Sequence, residues 1–276
     1  MSTMALTQRP AHELRPEQRR ALYEEEGLLV FPQFLDDAEL NTLRVALAEV
    51  LEQAKGQTES DDRFAISRGD DGRLHVRRIF KPMERHPAFR DLVLNPKILD
   101  VVEALIGPNI QFYLASINLK PPGVREAMFA WHQDYAANPH TNFDMVAVMV
   151  FLDDATPDNG CLMLVPGSHK LGPLEHRSGE NRGFYGLVDM SPLRDPSKVV
   201  TVPVPAGGME LHHCNMVHAS TANRGTTPRN AMVILYRAAD NVAIGGSKRM
   251  ASAGLLVRGE DPKTVRMVEA VVRLPR

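Results

Sequence analysis

The chain has 276 residues, 43% of them hydrophobic and 24% charged, with a formal net charge of −2. That length allows a sizeable core without staples, and the charge balance gives no reason to expect nucleic acid or an anionic membrane as partner. Only Cys161 and Cys214 are available as thiols, the N-terminal stretch MSTMALTQRPAHELRPEQRR has no signal-like apolar region, and no apolar run approaches the roughly 18 to 20 residues of a membrane span. A soluble cytoplasmic protein with reduced thiols is the expectation.

In chain order, Pro16 opens a helix that stops at Gly27, and Leu28 to Phe31 reads as a short buried strand. Asp36 or Asp37 caps a second helix, from Ala38 to about Ala54, with Leu40, Leu43, Leu47 and Leu51 on one stripe. Residues 56–73 are polar and Gly/Asp-rich, and read as a mobile loop. A third helix starts at Pro96 and closes at Gly107-Pro108. After residue 109 the texture changes. Ile110 to Lys120, Met145 to Leu152, Leu162 to Val165, Val199 to Val204, Met209 to His213 and Ala231 to Tyr236 are strand-like runs separated by turn residues. Many short strands after a helical third predict a sandwich or jelly roll with helices on one side. No internal repeat or composition shift divides the chain, so residues 1–276 read as one domain. Its helical part covers about 1–109 and its β core about 110–240. Residues 170–198 form a long, weakly patterned stretch, of the kind that is usually functional or disordered.

The segment Phe129-Ala130-Trp131-His132-Gln133-Asp134-Tyr135 places an imidazole and a carboxylate two residues apart. If it is extended, both point to one side and can share a divalent cation. Two ligands are not a site, and a histidine hydrogen-bonded to an aspartate is the bland alternative. The later segment Glu210-Leu211-His212-His213-Cys214-Asn215-Met216-Val217-His218-Ala219-Ser220 offers three more histidines, 78 to 84 residues after Asp134. Two His and one carboxylate leave adjacent coordination positions open, which suits Fe(II) binding a co-substrate and oxygen together. A structural zinc site would more often recruit cysteines.

Taken in order, EEEGLLVF, LDDAEL, LIGPN, INLKPPG, WHQD, NGCLMLVPGSH and LHHCNMVHAS followed by Asn223 and Arg229 resemble the phytanoyl-CoA dioxygenase family of Fe(II)/2-oxoglutarate oxygenases. The resemblance implies an α+β, mainly β fold, a double-stranded β-helix (jelly roll, cupin-like) with helices packed on one side. It implies Fe(II), 2-oxoglutarate and O2 as cofactor and co-substrates, and a small-molecule substrate that is hydroxylated or otherwise oxidised. His132, Asp134 and His218 would be the iron ligands, which leaves His212 and His213 to line or back the pocket. Arg229 would meet the far carboxylate of 2-oxoglutarate, with Ser220 beside it after the turn returns Arg229 to the neighbouring strand. Lys81 matches a lysine that reaches 2-oxoglutarate in some members, whereas Lys120 reads as structural. The carboxylate at Asp134 argues against halogenation. Phe129, Tyr135 and His213 are candidate substrate contacts, Trp131 reads as core, and Arg177, Arg182, Tyr185 and Arg194 are candidates for gripping a polar or anionic substrate. Two other readings stay open: a catalytically silent jelly-roll binding protein, and a cupin-like zinc or nickel enzyme that does not use 2-oxoglutarate.

Overall fold

The structure, a computed structural model, describes residues 10–178, 185–191, 194–245 and 253–268. Helix α1 (Pro16–Glu26) starts on proline and ends at Gly27, whose φ of 79° gives the left-handed cap that a side chain would strain. A Cβ at Gly27 would also stand 2.4 Å from His169. Strand β1 (Leu28–Phe31) follows directly. Helix α2 (Asp37–Glu52) is capped by Asp36, whose side chain accepts from Glu39 N at 2.8 Å while Glu39 accepts from Asp36 N at 2.9 Å.

The predicted loop over 56–73 is corrected. Residues Phe64–Arg68 form β2, which pairs antiparallel with β3 (Leu74–Phe80). Charged residues masked these strands in the sequence. Helix α3 (Pro87–Val93) precedes α4 (Pro96–Ile106), which is capped by Asn95 and Pro96 as expected.

The remaining strands are β4 (Ile110–Lys120), β5 (Phe129–His132), β6 (Met145–Phe151), β7 (Leu162–Leu164), β8 (His176–Ser178), β9 (Tyr185–Leu187), β10 (Val200–Val202), β11 (Met209–His213), β12 (His218–Ser220), β13 (Arg229–Ala238) and β14 (Leu255–Arg258). A helical turn, α5 (Asp134–Ala137), follows β5. The large sheet runs β1-β11-β6-β13-β4-β3-β2, with β14 also on β4, and the small sheet runs β10-β7-β12-β5. Three strands of the N-terminal part therefore belong to the large sheet, so that part is helical only in its outer layer. The long stretch after residue 170 carries the hairpin β8-β9. Among the described residues no helix is long and apolar enough to cross a membrane.

One face of the large sheet is a uniform apolar surface. Ile79, Ile117, Leu119, Val146, Val148, Leu211, Met232 and Ile234 bury against Leu43, Leu47, Phe89, Ile98 and Val102 of the helices. Full burial of each such side chain contributes about 1.5–3 kcal/mol. The other face meets the small sheet, and its residues are decided by parity. β4 would present even-numbered residues to the helices throughout, as it does at Ile110 and Phe112. A bulge shifts the register: Tyr236 pairs with Phe112, and Leu235 pairs with Leu114, leaving Tyr113 as the extra residue. Beyond it Ala115, Ile117 and Leu119 face the helices, and Ser116, Asn118 and Lys120 turn inwards. A second bulge, where Ala65 pairs with Arg78 and Ile66 with Val76, does the same for β3 and turns Arg78 inwards.

Candidate metal centre and co-substrate pocket

The small sheet sets the first pair of ligands. β12 pairs with β5 so that His218 stands directly opposite His132, and their ring centroids are 4.1 Å apart. Each ring is oriented by its own backbone. His132 Nδ1 lies 2.7 Å from Ala130 O, and His218 Nδ1 lies 3.0 Å from Met216 O. A carbonyl only accepts, so Nδ1 carries the proton in both and Nε2 keeps its lone pair for a metal. Burial, then the neighbouring histidines, holds His218 well below the ordinary imidazole range, and burial lowers His132 too. Both are neutral, as ligation requires.

Asp134 comes from the helical turn after β5, not from a continued extended strand, and its Oδ1 lies 3.8 Å from His132 Nε2. Gln133 between them is buried and fully engaged. Its Nε2 donates to Gly172 O at 2.9 Å and Asn215 O at 2.7 Å, and its Oε1 accepts from Leu174 N at 2.8 Å. That bracing lets two residues with unlike backbone aim at one point. Ligand atoms of His132, Asp134 and His218 all lie within 4.8 Å of one another. Bonds of about 2.0–2.2 Å from an ion to nitrogen and oxygen would draw them onto a common centre.

His212 stands behind this set. Its Nε2 is 3.3 Å from Asp134 Oδ2 and its Nδ1 is 3.0 Å from Glu210 Oε2, with both His212 and Glu210 buried. Burial opposes its charge, but Glu210 and Asp134 outweigh burial and push its pKa up to about 10. With both ring nitrogens donating, it has no lone pair left for a metal. Burial raises the pKa of Asp134, but the His212 hydrogen bond and the three imidazoles bring it well below the usual carboxylate range. The sequence offered His212 only as pocket lining or structural backing. The missed signal was Glu210-x-His212, two polar residues at strand spacing that alternate with apolar Met209 and Leu211 in β11.

The triad opens on a cavity of about 540 Å3 that also contains Arg229, Ser220, Lys120's neighbours Asn118 and Ser116, Lys81, Arg78 and Phe129. Arg229 reaches it from β13 of the large sheet, not from a strand neighbouring β12 as expected. It is 1% exposed, donates from Nη2 to Gly160 O at 2.9 Å, and leaves Nε and Nη1 without partners. Gly160 has φ 87°, and a Cβ there would meet Thr221 O at 2.5 Å, so this close approach requires glycine. Lys120 is buried beside Arg229, and its Nζ donates to Ser220 Oγ at 2.8 Å and to Thr221 O. Burial, then Arg229, pushes Lys120 down to about 6. The Ser220 oxygen is thereby held as acceptor, and its own O–H is left to donate into the cavity.

An isolated buried guanidinium is costly, and a carboxylate meeting it with parallel hydrogen bonds removes that cost. The unfilled donors of Arg229 therefore fit the far carboxylate of 2-oxoglutarate, and the three ligand side chains fit Fe(II). Lys81 lines the cavity and lies 3.7 Å from Asp62. Phe129 also lines it, with its ring stacked 6.3 Å from His132. Two expected substrate contacts are corrected. Tyr135 is core: its hydroxyl donates to His140 O at 2.6 Å and its ring packs on Phe143. His213 follows His212 on β11 and so faces the other way, packing against Tyr23 and His169. Trp131 packs beside the Val165, Leu187, Val199 and Val217 cluster, as core. Arg177 and Arg194 are exposed and Arg182 lies outside the described residues.

The jelly roll and the His-Asp-His set define a non-haem iron oxygenase that uses 2-oxoglutarate. A family profile for phytanoyl-CoA dioxygenase (PhyH) matches residues 23–231, and the chain belongs to that family. It is 33% identical over 77% of its length to a probable α-ketoglutarate-dependent hypophosphite dioxygenase of Stutzerimonas stutzeri, of which 74% is covered. It is 27% identical over 79% of its length to an ectoine dioxygenase of Bordetella bronchiseptica, again with 74% covered. Among solved structures, the non-heme α-ketoglutarate-dependent carbocyclase SnoK from nogalamycin biosynthesis superposes with a TM-score of 0.68 at 26% identity, over 87% of this chain and 90% of that one.

Proposed function

We propose that His132, Asp134 and His218 hold Fe(II), that Arg229 and Ser220 bind the far carboxylate of 2-oxoglutarate, and that a C–H bond of a small molecule is oxidised above them. Once bound, iron and 2-oxoglutarate supply oxygen activation, with succinate and CO2 as co-products. The protein's own part is positional. Gln133 braces the ligand loop, and the proton on each ligand histidine's Nδ1 aims Nε2 inwards. His212 holds the second oxygen of Asp134 and leaves the first for the metal. Phe129 walls the site, and Lys81 stands at the same wall for the co-substrate. Asp134 fills the position that halogen chemistry would need open, so hydroxylation, desaturation, ring closure or epoxidation is the expected outcome. The helices and the jelly roll act as one catalytic domain. Free, buried Cys161 and Cys214 suit a reducing, cytoplasmic setting.

The observation that carries this reading is Arg229, buried with two unfilled donors in the same cavity as the three ligand side chains. The test is succinate release from 2-oxoglutarate under air, with Fe(II) and with hypophosphite and ectoine as first candidate substrates, since relatives act on them. Iron-dependent succinate that rises with one substrate is expected. A silent binding protein would take up 2-oxoglutarate without releasing succinate. A zinc or nickel enzyme would turn over its substrate whether or not Arg229 is present.

A further inference from the structure

Arg78 is a further cation in this cavity, with no part in holding iron or 2-oxoglutarate in the function proposed above. It is turned inwards by the β3 bulge and stands against β4, where its Nε and Nη2 donate to Ser116 Oγ at 3.2 and 3.0 Å. Its guanidinium lies 5.4 Å from the Phe80 ring centre and 6.0 Å from that of Phe129, the ring that stacks on His132. Arg78 is thus one aromatic ring away from the metal ligands. No carboxylate among the described residues pairs with it. Asp61 is taken by Arg63 at 2.7 Å, and Asp62 lies by Lys81.

Counting charges isolates Arg78 further. Asp134 offsets one charge of Fe(II), and the two carboxylates of 2-oxoglutarate offset the other charge and Arg229. His212 lies between Glu210 and Asp134, and Lys120 is held by Ser220 and Thr221, so neither bears on Arg78. Of the other cations on this wall, Lys81 lies by Asp62 and Arg77 is near Glu126, which leaves Arg78 as a partly buried guanidinium facing the reaction chamber. A serine hydroxyl supplies hydrogen bonding but no charge, and a cation so placed gains most from an anion delivered with its own acceptor oxygens.

We propose that the substrate carries a small oxyanion, a carboxylate or a phosphorus oxyanion, and that Arg78 receives it and so sets which bond faces the iron. This rests on the iron and 2-oxoglutarate reading. The test is calorimetric titration, without oxygen, of the Fe(II)- and 2-oxoglutarate-loaded protein with acetate, methylphosphonate and neutral acetamide. The titration is then repeated on Arg78→Met and Arg78→Lys. Acetate or methylphosphonate should bind the wild type and acetamide should not, and the stronger anion names the carboxylate or phosphonate arm. Arg78→Met should weaken that anion about 10- to 100-fold, the worth of one charged hydrogen-bonding group. Arg78→Lys should recover part of the loss, which separates charge from the Ser116 contact. 2-Oxoglutarate affinity should stay within about twofold of wild type in both variants, against the about 10-fold or larger loss expected for Arg229→Met.

Wild type that does not distinguish anions from acetamide, or that binds none of them, overturns the proposal. So does Arg78→Met that binds the anions as wild type does. A 2-oxoglutarate loss in Arg78→Met as large as in Arg229→Met assigns Arg78 to the co-substrate and overturns it too. If wild type fails to bind 2-oxoglutarate with Fe(II), the earlier reading falls and takes this one with it. If 2-oxoglutarate binds but anions are not distinguished, this one falls alone.

Discussion

The two faces of the large sheet are built from alternate residues of the same strands, yet they obey different rules. On the helix side, Ile117, Val148, Leu211 and Ile234 form an unbroken apolar layer with every side chain in contact with another. On the cavity side, their neighbours Ser116, Asn118, Lys120, Glu210, His212 and Arg229 are polar or charged and buried, and Asn118 and Arg229 carry atoms without partners. The first face holds the molecule together. The second is an arrangement that is costly in the absence of ligands and becomes favourable when charges of opposite sign arrive.

The sharpest way to break this contrast is at Asp134. Asp134→Ala should abolish succinate formation and lower the iron retained after gel filtration, while the fold persists. Full activity in that variant would falsify the ligand assignment. On the opposite face, Ile234→Ala leaves a cavity against the helices and should cost about 2–5 kcal/mol in urea unfolding with little change in kcat. A large change in kcat with unchanged stability would mean that the two faces are not separable. Arg229→Met should raise the KM for 2-oxoglutarate about 10- to over 100-fold, since a charged hydrogen bond contributes about 1.5–3 kcal/mol. It should leave iron content as in wild type.

The last contrast is one of pH. Burial, then Arg229, lowers the folded pKa of Lys120 to about 6, from about 10.4 in an unfolded chain. The unfolded chain therefore binds more protons between these values, and the stability of the apo protein relative to Lys120→Met should rise as pH climbs from about 6 to about 10. Urea midpoints of both proteins across that range measure it, and a difference that stays flat or falls with pH would show that the lysine keeps its charge in its buried setting.

The helix side of the sheet was largely readable from the sequence, because apolar periodicity and capping residues such as Asp36 and Pro96 report directly on local structure. The triad was readable through its motif spacing and the family resemblance together. What escaped turns on where the chain aims its side chains, which bulges, turns and strand alternation decide. Arg78 drew no reading from the sequence, although the β3 bulge turns it into the cavity. Tyr135 looked like a pocket residue because it is next to Asp134, but the chain turns helical there and buries it. His212 and His213 are adjacent and chemically alike, and only the strand's alternation decides that one supports Asp134 and the other packs on Tyr23. Arg229 reaches the cavity by another route than expected, since a turn links the two sheets where a return to the strand beside β12 was expected.

The extra residue at Tyr113 has a consequence for how such a pocket can change over generations. Every position of β4 beyond it owes its orientation to that single insertion, so losing one residue there would exchange Ser116, Asn118 and Lys120 for Ile117 and Leu119 in one step. Exchanging side chains at fixed points along that wall keeps the architecture, whereas altering its length would put the lining into the core and the core into the lining.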